Sequence, residues 1–210
     1  VLNYLLLLGW APEGEQEIFS LDEMIKIWDP SRISKSPAIF DPLKLRAINA
    51  AYIRALPAEE FRRLADPFID SAVHCDIDRD LLCANLQPRC EVLEDIPPQL
   101  DFFDAVLPID AEMYRNKKQK TTPESAKEAL TALLPVLEAQ TDWTRDAIFE
   151  ACKTLAEQME KKNGWLLFPL GIALSGKART PGGGTDLAAM MGKEETLRRI
   201  DHILATLKPA

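Results

Sequence analysis

Cysteine and histidine are scarce in this chain, and those present lack a metal-binding pattern. Of 210 residues, four are cysteine and two are histidine. Cys75, Cys83, Cys90 and Cys152 form no CxxC pair, and His74 does not fall at zinc-ligand spacing from any of them. Small, reduced, buried side chains are the expectation for all four. Long apolar runs are missing too. The longest, "YLLLL" (4–8), is too short to span a bilayer. The N-terminus lacks the basic segment and small-residue cleavage site of a signal peptide. A cytoplasmic protein with no membrane partner is therefore expected. Residue 1 is valine, as expected of a piece cut from a longer chain. No segment alternates cleanly with period two, so no sheet is expected.

What is present is helix-period apolar spacing throughout, which predicts an all-α fold. Hydrophobic residues make up 47% and charged residues 28%, as in ordinary globular chains. Helix starts are well marked. Ser20 with Glu23 forms a capping box before "LDEMIKIW". Asp41 and Thr122 are N-cap candidates, each followed by a proline at the first helical position. Asp142 or Thr144 starts "RDAIFEACKTLAEQMEKK". Gly192 separates "DLAAMM" from a final helix. The fifteen prolines, mostly between helices, predict many short helices rather than a long bundle.

Three enzyme-like signals fail on their chemistry. "RISKS" (32–36) reads like KMSKS, the loop that brings a lysine to ATP in class I aminoacyl-tRNA synthetases. That loop needs a nucleotide-binding parallel sheet, and no strand–glycine–helix unit occurs here. "GIALSGKA" (171–178) matches GxxxxGK but ends in Ala178, which has no hydroxyl for magnesium. It reads as a helix running into a turn. Asp76, Asp78 and Asp80 open like a calcium loop, but the required glycine is Leu81 and the twelfth position is Gln87. Asp78 reads instead as a helix N-cap. His74 and His202 are expected in plain helical contexts, with no nucleophile to serve.

The formal charge of −8 argues against a nucleic-acid binder. The charge is uneven, however, and "RNKKQK" (115–120) is a basic cluster. The residues alone leave two readings: an RNA-binding helical domain with local basic faces, or a helical protein-interaction scaffold without RNA affinity. The scaffold predicts a contiguous apolar surface patch and no clustered basic face.

Several stretches resemble the C-terminal half of bacterial-type glutamyl-tRNA synthetases. They are "LNYLLLLGWAPEGEQEIFSLDEMI" (2–25), "RISKSPAIFDPLKLRAINAAYIR" (32–54), "LQPRCEVLEDIP" (86–97) and "LFPLGIALSGKARTPGGGTDLAAMMGKEETLRRI" (167–200). The resemblance implies a stem-contact region over 1–56 and two helical anticodon-binding subdomains over 57–107 and 108–210. It also implies tRNA(Glu) as partner and an N-terminal catalytic domain outside this chain. ATP and Mg would belong to that domain, with no cofactor and no catalytic residue here.

Arg89 is similar to the family's arginine that checks the third anticodon base. Thr180 and Pro181 match its turn near the anticodon loop. Lys35, Lys44, Arg46, Arg54, Lys117 and Lys118 are expected phosphate or stem contacts. One departure is Gly171, where the family often has an arginine for the first anticodon base. First-base reading is then weaker here, or falls to Lys177 or Arg179.

Overall fold

The computed structural model describes residues 1–35 and 37–207; Ser36, within "RISKS", lies outside them. Ten α-helices run in order: α1 (Leu2–Gly9), α2 (Leu21–Ile27), α3 (Pro42–Ala55), α4 (Ala58–Asp70), α5 (Arg79–Leu86), α6 (Pro123–Ala139), α7 (Arg145–Gln158), α8 (Asn163–Ser175), α9 (Gly184–Met191) and α10 (Lys193–Thr206). Among the described residues there is no sheet. The bridges Trp10–Ile33 and Asn116–Thr121 are isolated.

The marked helix starts hold. Ser20 and Glu23 close the capping box of α2, and the Asp41 carboxylate accepts the N–H groups of Leu43 and Lys44. Thr122 caps α6 and Asp78 caps α5. Thr144, rather than Asp142, caps α7. Each cap satisfies backbone donors that the helix itself leaves open. Pro67, Pro135 and Pro169 lie inside helices, where each removes one backbone hydrogen bond.

α8 is apolar on every side, and such a helix is stable only when surrounded. Its Leu166, Leu170, Ala173 and Leu174 are buried, and α6, α7, α9 and α10 pack around it. On α4, Phe61, Ala65 and Ile69 recur every four residues and are fully buried. One apolar core runs from Ile53 through α4, α5 and the 90–103 segment into α6 to α10. Cys83, Cys90 and Cys152 lie in it, and burial pushes their thiols up, to about 11 for the first two and about 12 for Cys152. Cys75 departs from expectation and is exposed.

The buried Arg199 of α10 crosses this core. Its Nη1 donates to the carbonyls of Phe102 (2.7 Å) and Leu174 (2.6 Å), and Nη2 donates to Phe103 (2.8 Å). Its Nε donates to Glu195 Oε1 at 2.6 Å. A guanidinium has donors only, and here four acceptors meet it.

The first 55 residues pack differently. Asn3, buried on α1, donates to the Glu17 carbonyl (2.7 Å) and accepts the Phe19 N–H (2.8 Å). The Tyr52 hydroxyl of α3 sits 2.9 Å from the same Asn3 oxygen. Tyr4 accepts the Asp41 N–H at 2.6 Å. Yet every strongly exposed large apolar side chain among the described residues falls between Val1 and Tyr52, with Leu43 78% and Ile39 86% exposed.

Replacing Arg199 with alanine strands three buried carbonyls. A loss of about 3–5 kcal/mol is expected, read from urea unfolding followed by circular dichroism. A loss under about 1 kcal/mol would show that the buried bonds carry little net stability.

Candidate nucleic-acid interface

Arg89 ends a 3-10 turn, Gln87–Arg89, that follows α5. The chain on both sides of it is tied down. Gln87 Nε2 donates to the Ile53 (3.0 Å) and Leu56 (2.8 Å) carbonyls at the end of α3. Beyond it, Asn49 Nδ2 donates to the Glu91 carbonyl (2.7 Å), and Arg46 Nε to Glu91 Oε2 (2.7 Å). Arg46 also pairs with Asp95, and the two carboxylates raise its pKa. Arg89 itself is exposed.

Thr180 and Pro181 stand in the turn between α8 and α9. α8 stops because Gly176 takes a left-handed conformation, φ 63°, and closes its N–H on the Ile172 carbonyl at 2.7 Å. Lys177 Nζ is held by the Pro98 carbonyl (2.9 Å) and Asp101. The Thr180 hydroxyl donates to the Gly182 carbonyl (2.6 Å), and Asp186 Oδ2 accepts the Gly183 N–H (2.7 Å). At Gly184 a Cβ would lie 2.7 Å from the Leu167 carbonyl oxygen and 2.9 Å from the Gly171 nitrogen. Only glycine lets α9 start against the backbone of α8, and this fixes the turn.

The structure brings Arg89, Thr180 and Pro181 together. Arg89 Nη1 donates to the carbonyls of Thr180 (3.4 Å) and Pro181 (3.3 Å), 91 and 92 residues away in sequence. Nε and Nη2 have no partner among the described residues. Half the fork is thus parked on backbone, and half faces outward.

The other expected contacts do not gather there. Lys44 pairs with Glu17 (2.6 Å), and Arg46 with Glu91 and Asp95. Both cations are paired with carboxylates at the surface. Lys35 and Arg54 have no ion-pair partner among the described residues. Lys117 and Lys118 ride on the short turn bridged by Asn116 and Thr121. Lys177 is committed, whereas Arg179 is exposed and unpaired among the described residues.

The rejected enzyme signals have plain structural explanations. Around "RISKS", the Ser34 N–H donates to the Gly9 carbonyl at 2.8 Å, so this loop is pinned to the end of α1. His74 is not helical as expected. It follows α4, with Nδ1 2.6 Å from Asp104 Oδ2. The same carboxylate accepts the N–H groups of His74 (2.8 Å) and Cys75 (3.0 Å). His74 lies 30 residues from Asp104 in sequence, so no local pattern announced it. Among the described residues no three His, Cys, Asp or Glu side chains gather as a metal site. No described helix is long and apolar enough to cross a membrane.

The anticodon binding domain family matches residues 46–204. The chain belongs to that family. Across 208 residues it is 46% identical to a glutamate–tRNA ligase of Clostridium botulinum, covering 99% of this chain and 43% of that enzyme. It is 44% identical to the glutamate–tRNA ligase of Clostridium acetobutylicum, over 95% of this chain and 41% of that enzyme. A crystal structure of a glutamate tRNA ligase from Elizabethkingia meningosepticum superposes with a TM-score of 0.85 at 29% identity, over 99% of this chain and 41% of that one. The chain therefore spans less than half the length of the enzymes it matches. In this anticodon-binding domain, the exposed apolar side chains lie almost wholly before the matched region.

The His74 side chain, first, and the two N–H donors hold the Asp104 carboxyl well below the usual carboxylate range. A depressed folded pKa stabilises above the unfolded value, near about 4, and the gain is lost as pH falls. Asp104→Asn is expected to lower the urea midpoint at pH 7, with the gap to wild type closing towards about pH 2. An equal gap at both pH values would contradict this.

Proposed function

We propose that this chain is the tRNA-binding part of a glutamate–tRNA ligase, and that Arg89 reads the third anticodon base of tRNA(Glu). The observation that carries the reading is the meeting of Arg89 with the Thr180 and Pro181 carbonyls across the two halves of the domain. RNA-binding proteins read sequence mostly on splayed single-stranded bases. Glutamate anticodons end in C, whose pairing edge offers acceptors at O2 and N3. Glutamine anticodons end in G, whose edge presents N–H donors. A guanidinium accepts nothing, so it welcomes C and repels G. The two backbone carbonyls hold Nη1 before RNA arrives, which reduces the ordering cost on binding.

Gly171 leaves no side chain for the first base. Arg179 takes that role, since Lys177 is held by Pro98 and Asp101. Of the expected stem contacts in the first 55 residues, Lys35 and Arg54 are the ones without an ion-pair partner among the described residues, and they take stem phosphates.

ATP and Mg²⁺ chemistry belongs to the rest of the parent enzyme. The two nucleotide-like motifs do not offer a free lysine cradle among the described residues: "RISKS" is tied to α1 through Ser34, and Lys177 is engaged. The apolar surface between Val1 and Leu43 is where that remainder, carrying the catalytic domain, packs. A scaffold role would also use this surface, but it gives Arg89 and its two carbonyls no task. The parent enzyme works in the cytoplasm.

In the full-length enzyme, Arg89→Gln is expected to shrink the preference for tRNA(Glu) over glutamine tRNA by about 1–3 kcal/mol. The check is the ratio of kcat/KM for charging the two tRNAs. An unchanged ratio would remove Arg89 from the site. The isolated chain, given ATP, glutamate and tRNA, should charge nothing.

A further inference from the structure

α8 ends at the turn just described. At its other end, about 20 Å away along a 13-residue helix, a second feature answers to nothing so far assigned. The turn 116–121 and the tight connection from α7 to α8 meet there. Gln119 lies directly over Gly164: a Cβ on Gly164 would be 1.8 Å from Gln119 Oε1. This contact brings Lys120 beside Lys161 and Lys162, more than 40 positions away in the chain, and Lys117 and Lys118 belong to the same turn as Lys120. Between them is a cleft of about 320 Å³, lined by Gln119, Lys120, Glu160, Lys161, Lys162 and the Trp165 indole. Lys161 Nζ stands 5.3 Å from the centre of that indole, which orients the cation. Glu160 is the one carboxylate in the lining.

The charge here differs in kind from the rest of the surface. Half of the described lysines and arginines are committed to carboxylates, as in Arg62 with Asp66 and Asp80, or Arg198 with Glu195. Lys127 and Lys193 are held by backbone carbonyls. None of Lys120, Lys161 and Lys162 at the cleft, nor Lys117 and Lys118 on the adjoining turn, has a carboxylate or carbonyl partner among the described residues. All five are exposed. The chain carries a net charge of −8, so three lysines against one carboxylate in the cleft, with two more on the turn beside it, form a strong local contrast.

We infer that this cleft is a second RNA contact, taking the phosphate backbone without reading bases. Lysines are point charges suited to phosphates. No strongly exposed large apolar side chain lies near them in sequence, so the site offers nothing for a hydrophobic partner to bury. The inference deepens the tRNA-binding reading by adding a contact at the far end of α8. It also holds for any RNA.

Two variants of this chain test it: Lys117→Gln/Lys118→Gln/Lys120→Gln, and Lys161→Gln/Lys162→Gln. Both change exposed side chains, and unaltered circular dichroism and melting confirm their fold. Binding is measured by fluorescence anisotropy between about 50 and 200 mM salt, on tRNA(Glu) and on an RNA hairpin of unrelated sequence. Each variant should lose affinity for both RNAs, by about tenfold at low salt. The slope of log K against log salt should fall by about 1.5, the contribution of two phosphates. If tRNA(Glu) binds and its slope is unchanged in both variants, the cleft contact is overturned while the tRNA-binding reading survives. If only the hairpin binding exists and depends on the lysines, the cleft contact stands and the tRNA reading falls. Lysine-dependent binding to anionic lipid vesicles with no RNA binding would overturn both.

Discussion

Everything in the interface hangs on the buried guanidinium of Arg199. It gathers the carbonyls of Phe102 and Phe103, which close the first half of the domain, and that of Leu174, at the end of α8. Arg89 belongs to the first half, and Thr180 to the turn after α8. Their contact is weak, at 3.3–3.4 Å, and exists only because stronger bonds elsewhere set its distance. A buried cation is costly to desolvate. It is tolerated here because four acceptors meet it, and the result is a fixed geometry between two surface segments some 90 residues apart. Lys177 adds a second tie across the same seam, to Pro98 and Asp101.

The molecule also shows how an acidic chain can present basic surface. Many of its carboxylates pair with its own cations: Glu91 and Asp95 with Arg46, Glu17 with Lys44, Asp70 with Arg79. Exposed pairs of this kind contribute little stability, but they decide which cations remain available. Among the described residues, the cations left without a carboxylate include Arg89 and Arg179 towards one end of α8, the lysines of the 117–120 turn and 161–162 towards the other, and Lys26, Lys35 and Arg54 in the first 55 residues. Net charge averages over this distribution and so misleads about partners.

What could be read from the sequence divides by range. Caps at Ser20, Asp41, Asp78 and Thr122 were legible because a cap is decided within four residues. So was the passage of 171–178 from helix into turn. The all-α class followed from period alone. The fate of individual cations was not legible: Lys44 and Arg46 looked like phosphate contacts, and their carboxylate partners lie 27 to 49 residues away. His74 was misplaced in a helix because Asp104, which holds it, is distant. Nothing local in "LRRI" marks Arg199 as a side chain that will cross a core. The pairing of 117–120 with 161–162 depends on Gln119 lying over Gly164, a fit that only three dimensions reveal.

On the proposed reading, the outward half of the Arg89 fork tells C from G at the third anticodon position. Direct binding of this chain to two anticodon stem-loops, identical except for that base, tests it without any catalysis. The loop ending in C is expected to bind about fivefold tighter or more, the low end of one bidentate base contact, and Arg89→Ala is expected to abolish the difference. Equal affinities for the two loops would contradict it.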